Sequence, residues 1–374
     1  MTSSVLIGIP CLKSGGTEMQ TLRLVEALTA GGYHCVTVCY FEYDFPIVQL
    51  FEKAGSRVVC LSAYGRRPAG NREVYKFLKE GLRRVVEEYR PKIAHVQYMA
   101  PGAMPIIILK RLGIKNIIAT LHTDASIYKN LFLLRFLQKH KVTVFTCVTE
   151  VAEKSFFGSS SLYNDNVKLS KHDHFTIHNC LAPNFNIVCN GEKIPQLTIG
   201  IVARLETIKG VEIVMPAFAK ILNSFPECKL LIVGDGKERA KMEKQQKEYG
   251  ISEKNVEWTG RVEYSKLPEL YKRMSFVWVP SRSEGFGLTA IEAMAQGRTV
   301  IASATGGLNE IIHNDVDGIL FENGSSEDLA EKTIELLNNP EKMEALCTNA
   351  IQNAKQFSFE RYSTSILSLY SKIV

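Results

Sequence analysis

Nine cysteines are scattered along the chain (Cys11, Cys35, Cys39, Cys60, Cys147, Cys180, Cys189, Cys228, Cys347) and no two form a Cys-x-x-Cys pair. That spacing argues against a zinc site and offers no disulfide framework. Several of these cysteines sit inside apolar runs, where a free thiol behaves as a small hydrophobe. Nowhere do 18 apolar residues follow one another, so no segment reads as a membrane span. The first ten residues lack both a basic n-region and a small-residue cleavage site, and a cytoplasmic location is expected. Internal repeats and low-complexity tracts are missing too, which argues against a solenoid and against disorder. Nor is there a Gly-x4-Gly-Lys-Ser/Thr, which removes the usual P-loop route to phosphoryl transfer.

What is present is an ordinary globular composition, 45% hydrophobic and 22% charged over 374 residues. At about 100–200 residues per domain, that length predicts two domains, each with its own core. The net charge of +6 is shared unevenly. Residues 1–190 hold 23 Lys+Arg against 14 Asp+Glu, or +9, and the remainder 22 against 25, or −3. A basic first half points to an anionic partner, such as a membrane surface or a phosphorylated acceptor, with a merely solvated basic face as the alternative.

Along the chain, short apolar runs alternate with stretches of helical spacing. In the first half the strand candidates are Val5–Pro10, Cys35–Phe41, Arg57–Leu61, Ile93–Gln97, Asn116–His122 and Val142–Thr149, with helical patterns at Thr17–Ala30, Val74–Tyr89, Ala103–Leu112 and Ser126–Lys139. A glycine loop, Gly15-Gly16, follows the first strand, as at the opening of a nucleotide-fold domain. Periodicity is lost through Cys180–Gln196, the best linker candidate, and the alternation then begins afresh at Thr198. Strands alternating with helices predict parallel sheets covered on both faces. The expected fold class is α/β: an N-terminal Rossmann-like domain at 1–185, a second at 196–357, and a final helix at 358–374 that packs back on the first. In such a pair the natural ligand site is the crevice at the strand carboxyl ends.

The chemistry gathers at strand ends. Phe276–Pro280 reads as a buried strand that runs into Ser-Arg-Ser-Glu284-Gly285-Phe286-Gly287-Leu288-Thr289-Ala-Ile-Glu292. Its glycines let backbone approach a ligand, and the helix that follows points free amides at it, which makes an anion site. Glu284 precedes that helix and Glu292 lies inside it, so the two acids face different parts of one ligand. Arg204 and Lys209 flank another strand end and offer a planar fork and a point charge for a diphosphate. Gly234 ends a third strand, where a turn alone explains it as well as ligand contact does. Arg261 and Val262 end a fourth, where backbone groups can meet the edge of a base. Among eight histidines, His122 stands out because it closes a strand, and side chains at such ends reach clefts.

Three patterns point elsewhere. Gly285-Phe-Gly287-Leu-Thr-Ala290 has the form of a dinucleotide fingerprint with Glu310 about 20 residues on, but it comes late in its domain, where that motif does not belong. Asp315-Val-Asp317 has a metal-binding spacing within a sequence that favours a turn. The stretch 129–141, apolar with basic flanks, reads as a core helix or as one lying on a membrane surface.

Together, Arg204…Lys209-Gly210, the E-x7-E segment Glu284–Glu292 and Ala304-Thr-Gly306-Gly307…Glu310 resemble the retaining nucleotide-sugar-dependent glycosyltransferases of family 4, the group 1 transferases with the GT-B fold. The resemblance spans essentially the whole chain. It implies transfer of a sugar from a UDP- or GDP-sugar to a glycan, lipid-linked or small-molecule acceptor, with retention and no bound metal or other cofactor. It further implies a role in cell-surface polysaccharide or glycolipid synthesis, at most peripheral membrane contact through the basic domain, and no nucleic-acid partner. By the same resemblance Gly15 and Gly16 line the donor, His122 touches the transferred sugar, and Arg204 and Lys209 hold the diphosphate. Arg261 and Val262 lie by the base, Glu284 contacts the donor sugar, the amides of Gly287, Leu288 and Thr289 the phosphate, and Glu292 the ribose; Phe286 and Gly234 are also among the donor-binding residues. An epimerase or phosphorylase on the same fold is the principal alternative, with a dinucleotide-dependent oxidoreductase behind it. The segment Phe156–Asp173 departs from the family's pattern.

Overall fold

Apolar runs of four to six residues are too short to bury themselves as helices, and here they pair as parallel strands. The computed structural model describes residues 3–63, 65–99, 101–128, 131–170, 172–189 and 197–373. These divide into two units, Met1–Cys180 with Phe359–Val374, and Leu181–Ser358.

The first unit runs β1 (Ser4–Ile9), α1 (Gly16–Ala30), β2 (His34–Cys39), α2 (Phe45–Lys53), β3 (Arg57–Cys60), α3 (Asn71–Tyr89) and β4 (Ile93–Gln97). It continues with α4 (Met104–Arg111), β5 (Asn116–Leu121), α5 (Leu131–His140), β6 (Val144–Cys147), α6 (Glu150–Phe157) and β7 (Asp173–Thr176). All strand pairs are parallel, in the order β3-β2-β1-β4-β5-β6-β7. Side chains alternate across the sheet: Val5, Ile7 and Ile9 of β1 join one core with α1, while Leu6 joins the other with α3 and α4. Strand order reverses between β1 and β4, so the Gly15-Gly16 loop and the end of β4 emerge side by side.

Three elements of this unit were not legible in the sequence. β7 is a four-residue edge strand, half-buried at its start, with no apolar alternation. Helices α2 and α6 bury only two and three side chains and leave the apolar Phe45 and Val151 exposed, so their apolar residues do not mark one face. Where a helix was expected over 126–139, the described residues hold a turn at Ala125–Ile127, with the Ser126 amide held by the Asp124 carboxylate, and the helix Leu131–His140. Residues 129 and 130 of that stretch, and 190–196 of the linker candidate, lie outside the described residues.

The second unit runs β8 (Thr198–Val202), α7 (Val214–Ser224), β9 (Lys229–Val233), α8 (Arg239–Glu248), β10 (Val256–Gly260), α9 (Leu267–Lys272) and β11 (Phe276–Val279). There follow α10 (Leu288–Ala295), β12 (Thr299–Ser303), α11 (Leu308–Ile311), β13 (Ile319–Phe321), α12 (Ser326–Leu337) and α13 (Pro340–Ala354). Its sheet is again all parallel, ordered β10-β9-β8-β11-β12-β13, with the reversal between β8 and β11. The loops after β8 and β11 are therefore neighbours, and they carry Lys209 and Glu284. Their approach is close: Gly210 has φ +64°, and a Cβ there would lie 1.8 Å from the carbonyl oxygen of Pro280.

A last helix, α14 (Phe359–Ser371), belongs to the first unit and packs on α1. Ile366, Leu369 and Tyr370 enter the same core as Val5 and Ile7. The ends of the second unit meet where the Leu181 amide donates to the Phe357 carbonyl at 2.9 Å. Among the described residues no helix is long and apolar enough to cross a membrane.

Candidate active site

In the second unit, Lys209 and Glu284 meet across the switch point. Lys209 Nζ donates to Glu284 Oε2 at 2.6 Å, and Ser281 Oγ donates to the same oxygen at 2.9 Å. Their side chains are 24% and 16% exposed, which leaves the pair reachable yet partly desolvated. A small cavity beside them, about 10 Å³, is lined by Val202, Ala203, Lys209, Ser281, Glu284 and Thr289, among others. Thr289 Oγ1 donates to the Val202 carbonyl at 3.1 Å, which ties the first turn of α10 to the end of β8. Gly287 precedes that helix with φ +118° and no side-chain cap. The first-turn amides of Leu288 and Thr289 have no acceptor within the helix and point toward an anion site.

Glu284 is also held from behind. The Gly307 amide donates to its carbonyl at 2.9 Å, and a Cβ on Gly306, whose φ is +46°, would come within 2.1 Å of that same oxygen. The glycine pair after β12 thus fixes the height of the Glu284 loop. Glu292, within α10 and 6% exposed, accepts from Tyr264 on Oε1 and from Tyr271 on Oε2, each at 3.0 Å. Burial, and then the Glu292 charge, push the Tyr271 hydroxyl well above its ordinary pKa, so it stays a donor to the carboxylate.

The remaining sites predicted in this unit fall around this centre. Arg204 follows β8 and is exposed. Gly234 packs against the Ala203 carbonyl at the end of β8, while Arg261 and Val262 follow the end of β10. Phe286 is buried edge-on against Phe357, which leaves only its backbone to face a ligand. Asp317 accepts from the His313 amide and ring within its turn, and Asp315 pairs with Lys342.

In the first unit, His122 follows β5 and is 8% exposed. Its Nε2 lies 2.6 Å from Gln97 Oε1 at the end of β4. An amide oxygen can only accept, so Nε2 carries the proton and Nδ1 is left as the acceptor. Burial pushes the His122 pKa down to about 4, keeping the ring neutral. Behind it, His95 lies between the Tyr370 hydroxyl at 2.7 Å and Thr120 Oγ1 at 2.6 Å, and burial pushes its pKa down to about 3. A polar cavity of about 20 Å³ adjoins both histidines, with Gln20, Gln97, Thr146 and Asn179 in its wall. Gly15 precedes α1 and Gly16 opens it. Gln97, Ser281, Tyr264 and Tyr271 were missed by sequence reasoning. Of these, Gln97 and Ser281 carried a signal, being polar residues at the carboxyl ends of strands.

The family model described as Glycosyl transferases group 1 matches residues 190–357, and that described as Glycosyltransferase Family 4 matches residues 14–157. An uncharacterized glycosyltransferase of Methanocaldococcus jannaschii is 30% identical over 291 residues, covering 77% of this chain and 78% of that protein. The chain belongs to the family 4 glycosyltransferases. This glycosyltransferase is also 30% identical over 176 residues to the D-inositol 3-phosphate glycosyltransferase of Segniliparus rotundus, a match of 46% of this chain and 39% of that protein. Among solved structures, Anabaena HepE in complex with UDP and glucose superposes with a TM-score of 0.79 at 18% identity, covering 99% of each chain. Sucrose-phosphate synthase from Thermosynechococcus elongatus does so with 0.76 at 20% identity, over 99% of this chain and 98% of that one. At such identities the likeness speaks for the fold, and that fold is GT-B: two Rossmann-like domains with parallel sheets.

Proposed function

We propose that this glycosyltransferase moves a sugar from a nucleoside diphosphate donor to a hydroxyl acceptor, with retention at the anomeric carbon and without a resident metal or cofactor. The observation that carries the reading is the Lys209–Glu284 pair at the switch point, in front of the α10 amides. Lys209, those amides and Arg204 supply the positive charge that a departing diphosphate needs. Glu284 takes the hydroxyls of the sugar, Glu292 those of the ribose, and Arg261 with Val262 the base. In the first unit, Gly15 and Gly16 approach the donor and His122 accepts from a sugar hydroxyl through Nδ1. The bond from the anomeric carbon to the phosphate oxygen breaks, and the bond to the acceptor oxygen forms on the same face. The acceptor proton passes to the departing diphosphate. The product belongs to a cell-surface polysaccharide or glycolipid.

UDP-glucose is the first donor to test, because Anabaena HepE, similar in fold, was solved with UDP and glucose. A thermal-shift panel of UDP- and GDP-sugars, with and without chelator, should show one donor raising the apparent stability by mass action, unaffected by chelator. Nucleoside diphosphate should then be released only when acceptor is present. Release or epimer formation without acceptor would favour the epimerase or phosphorylase alternative; stabilisation by none of these donors would overturn the proposal.

A further inference from the structure

Two of the cysteines, distant in sequence, are set side by side by the topology of the first sheet. Cys39 closes β2 and Cys60 closes β3, and the parallel register pairs the two residues directly. Neighbouring strands run about 4.8 Å apart, and residues paired in register turn their side chains to the same face. Both thiols accordingly meet the core that holds Val5 and Ile7, Cys39 within it and Cys60 at its margin. A disulfide needs Cα atoms about 4.4–6.8 Å apart and side chains that face one another, so the register brings this pair within range of a bridge. Cys11, after the adjoining β1, is engaged elsewhere, since its thiol donates to Glu18 Oε1 at 3.1 Å.

The paired thiols are not alike. β3 is an edge strand, and Cys60 is half-buried there, within reach of a small molecule, whereas Cys39 is buried. A hydrogen bond from the Cys39 thiol draws Cys60 below the ordinary thiol pKa, while that bond and then burial raise Cys39. A thiol disposed to ionise, beside one that stays protonated, is the arrangement of an attacking and a resolving cysteine. The reduced Cys39 thiol also anchors a turn. It donates to the Glu42 carbonyl at 3.4 Å, the same oxygen that takes the Leu12 amide at 2.9 Å, and the Leu12 carbonyl takes the Asp44 amide at 2.8 Å. The stretch after β2 thus braces the stretch after β1, just ahead of Gly15 and Gly16.

We propose that Cys39 and Cys60 form a reversible disulfide by exchange with a small disulfide such as glutathione disulfide, and that its closure releases the Glu42 turn that braces the Gly15-Gly16 loop. The Cys60 thiolate attacks one sulfur of the oxidant, which forms a mixed disulfide and expels one thiolate. The Cys39 thiol then gives up its proton, attacks Cys60 Sγ and expels the second thiolate. The protein loses two hydrogen atoms, and the oxidant leaves as two thiols. With its proton gone and its sulfur bound to Cys60, Cys39 no longer holds the Glu42 carbonyl. The disulfide itself does not depend on which sugar is transferred; only its bearing on catalysis rests on the donor-side role given above to Gly15 and Gly16.

The full-length protein, equilibrated over a series of ratios of glutathione to glutathione disulfide, then alkylated, digested and mapped by mass spectrometry, tests this. One bridge, Cys39–Cys60, should form and should open again with dithiothreitol. Cys39→Ala should stop at a glutathione adduct on Cys60, and Cys60→Ala should leave Cys39 unmodified. In the oxidised protein, hydrogen exchange at the Leu12 and Asp44 amides should quicken severalfold and return to its first rate on reduction. Neither readout needs a substrate, so their failure is distinguishable from a failure of the glycosyl-transfer reading. A bridge that joins Cys39 to Cys11 instead, thiols that stay free in glutathione disulfide alone, or exchange at Leu12 and Asp44 that oxidation leaves unchanged would overturn the proposal.

Discussion

Glu284→Gln removes a charge while keeping the shape of the side chain, and so asks whether Lys209 serves the glutamate or the phosphate. At 2.6 Å and an effective dielectric of about 20, the gross attraction is roughly 6 kcal/mol. Desolvation offsets much of that, and the net value of such a charge-assisted bond is about 1.5–3 kcal/mol. Losing the partner should therefore lower the unfolding midpoint by several degrees, at roughly 2–4 °C per kcal/mol for a domain of this size. It also leaves Lys209 short of an anion. Titration calorimetry with UDP and GDP on four proteins separates the possibilities: the unaltered enzyme, Glu284→Gln, Lys209→Ala and the double variant. Glu284→Gln should bind the nucleoside diphosphate as tightly as the unaltered enzyme, or up to about tenfold more tightly, while turnover collapses. Lys209→Ala should weaken the same binding by roughly 10–100-fold, the value of one charged hydrogen bond. If Glu284→Gln weakens binding as much as Lys209→Ala does, then Glu284 holds Lys209 in place for the phosphate, and Lys209 does not exchange the carboxylate for the phosphate.

Two further outcomes are expected. His122 and His95 have pKa values depressed to about 4 and about 3, against about 6.5 in an unfolded chain. The unfolded state thus takes up protons that the folded state refuses, so their contribution to stability is complete above about pH 6.5 and falls as the pH drops below it. Urea midpoints should fall between about pH 7 and pH 5, less steeply in His95→Asn and His122→Asn; the same slope in all three proteins would remove the histidines as the cause. Gly306→Ala sets a methyl group 2.1 Å from the Glu284 carbonyl and should displace that loop, costing on the order of a hundredfold in turnover with a modest loss of stability. Undiminished turnover would show that the loop yields without consequence.

The fold class was legible because parallel strands buried on both faces appear as apolar runs. Ile93–Gln97 has the same limits in sequence and structure, and the runs Arg57–Leu61 and Asn116–His122 extend one residue past the strands they form. β7 was not named as a strand, since it is four residues long at the sheet edge and Phe175 is its only apolar residue. The grouping of Lys209 with Glu284 follows from motif and topology together, because the strand order places the β8 and β11 loops side by side. The partner that Lys209 takes was not legible: a carboxylate 75 residues away satisfies it. The tyrosines on Glu292 come from 28 and 21 residues earlier. Such pairings are made by packing and leave no spacing to detect.

The return of α14 to the first unit bears on the order in which the protein is made. Residues 359–371 leave the ribosome only after the whole of Leu181–Ser358. Until then β4 holds His95 without its Tyr370 partner, and the core around Val5 and Ile7 lacks Ile366 and Leu369. The half of the chain synthesised first is therefore the half completed last. In the interval it presents to the cell an apolar groove along α1, where chaperones have their opportunity to bind.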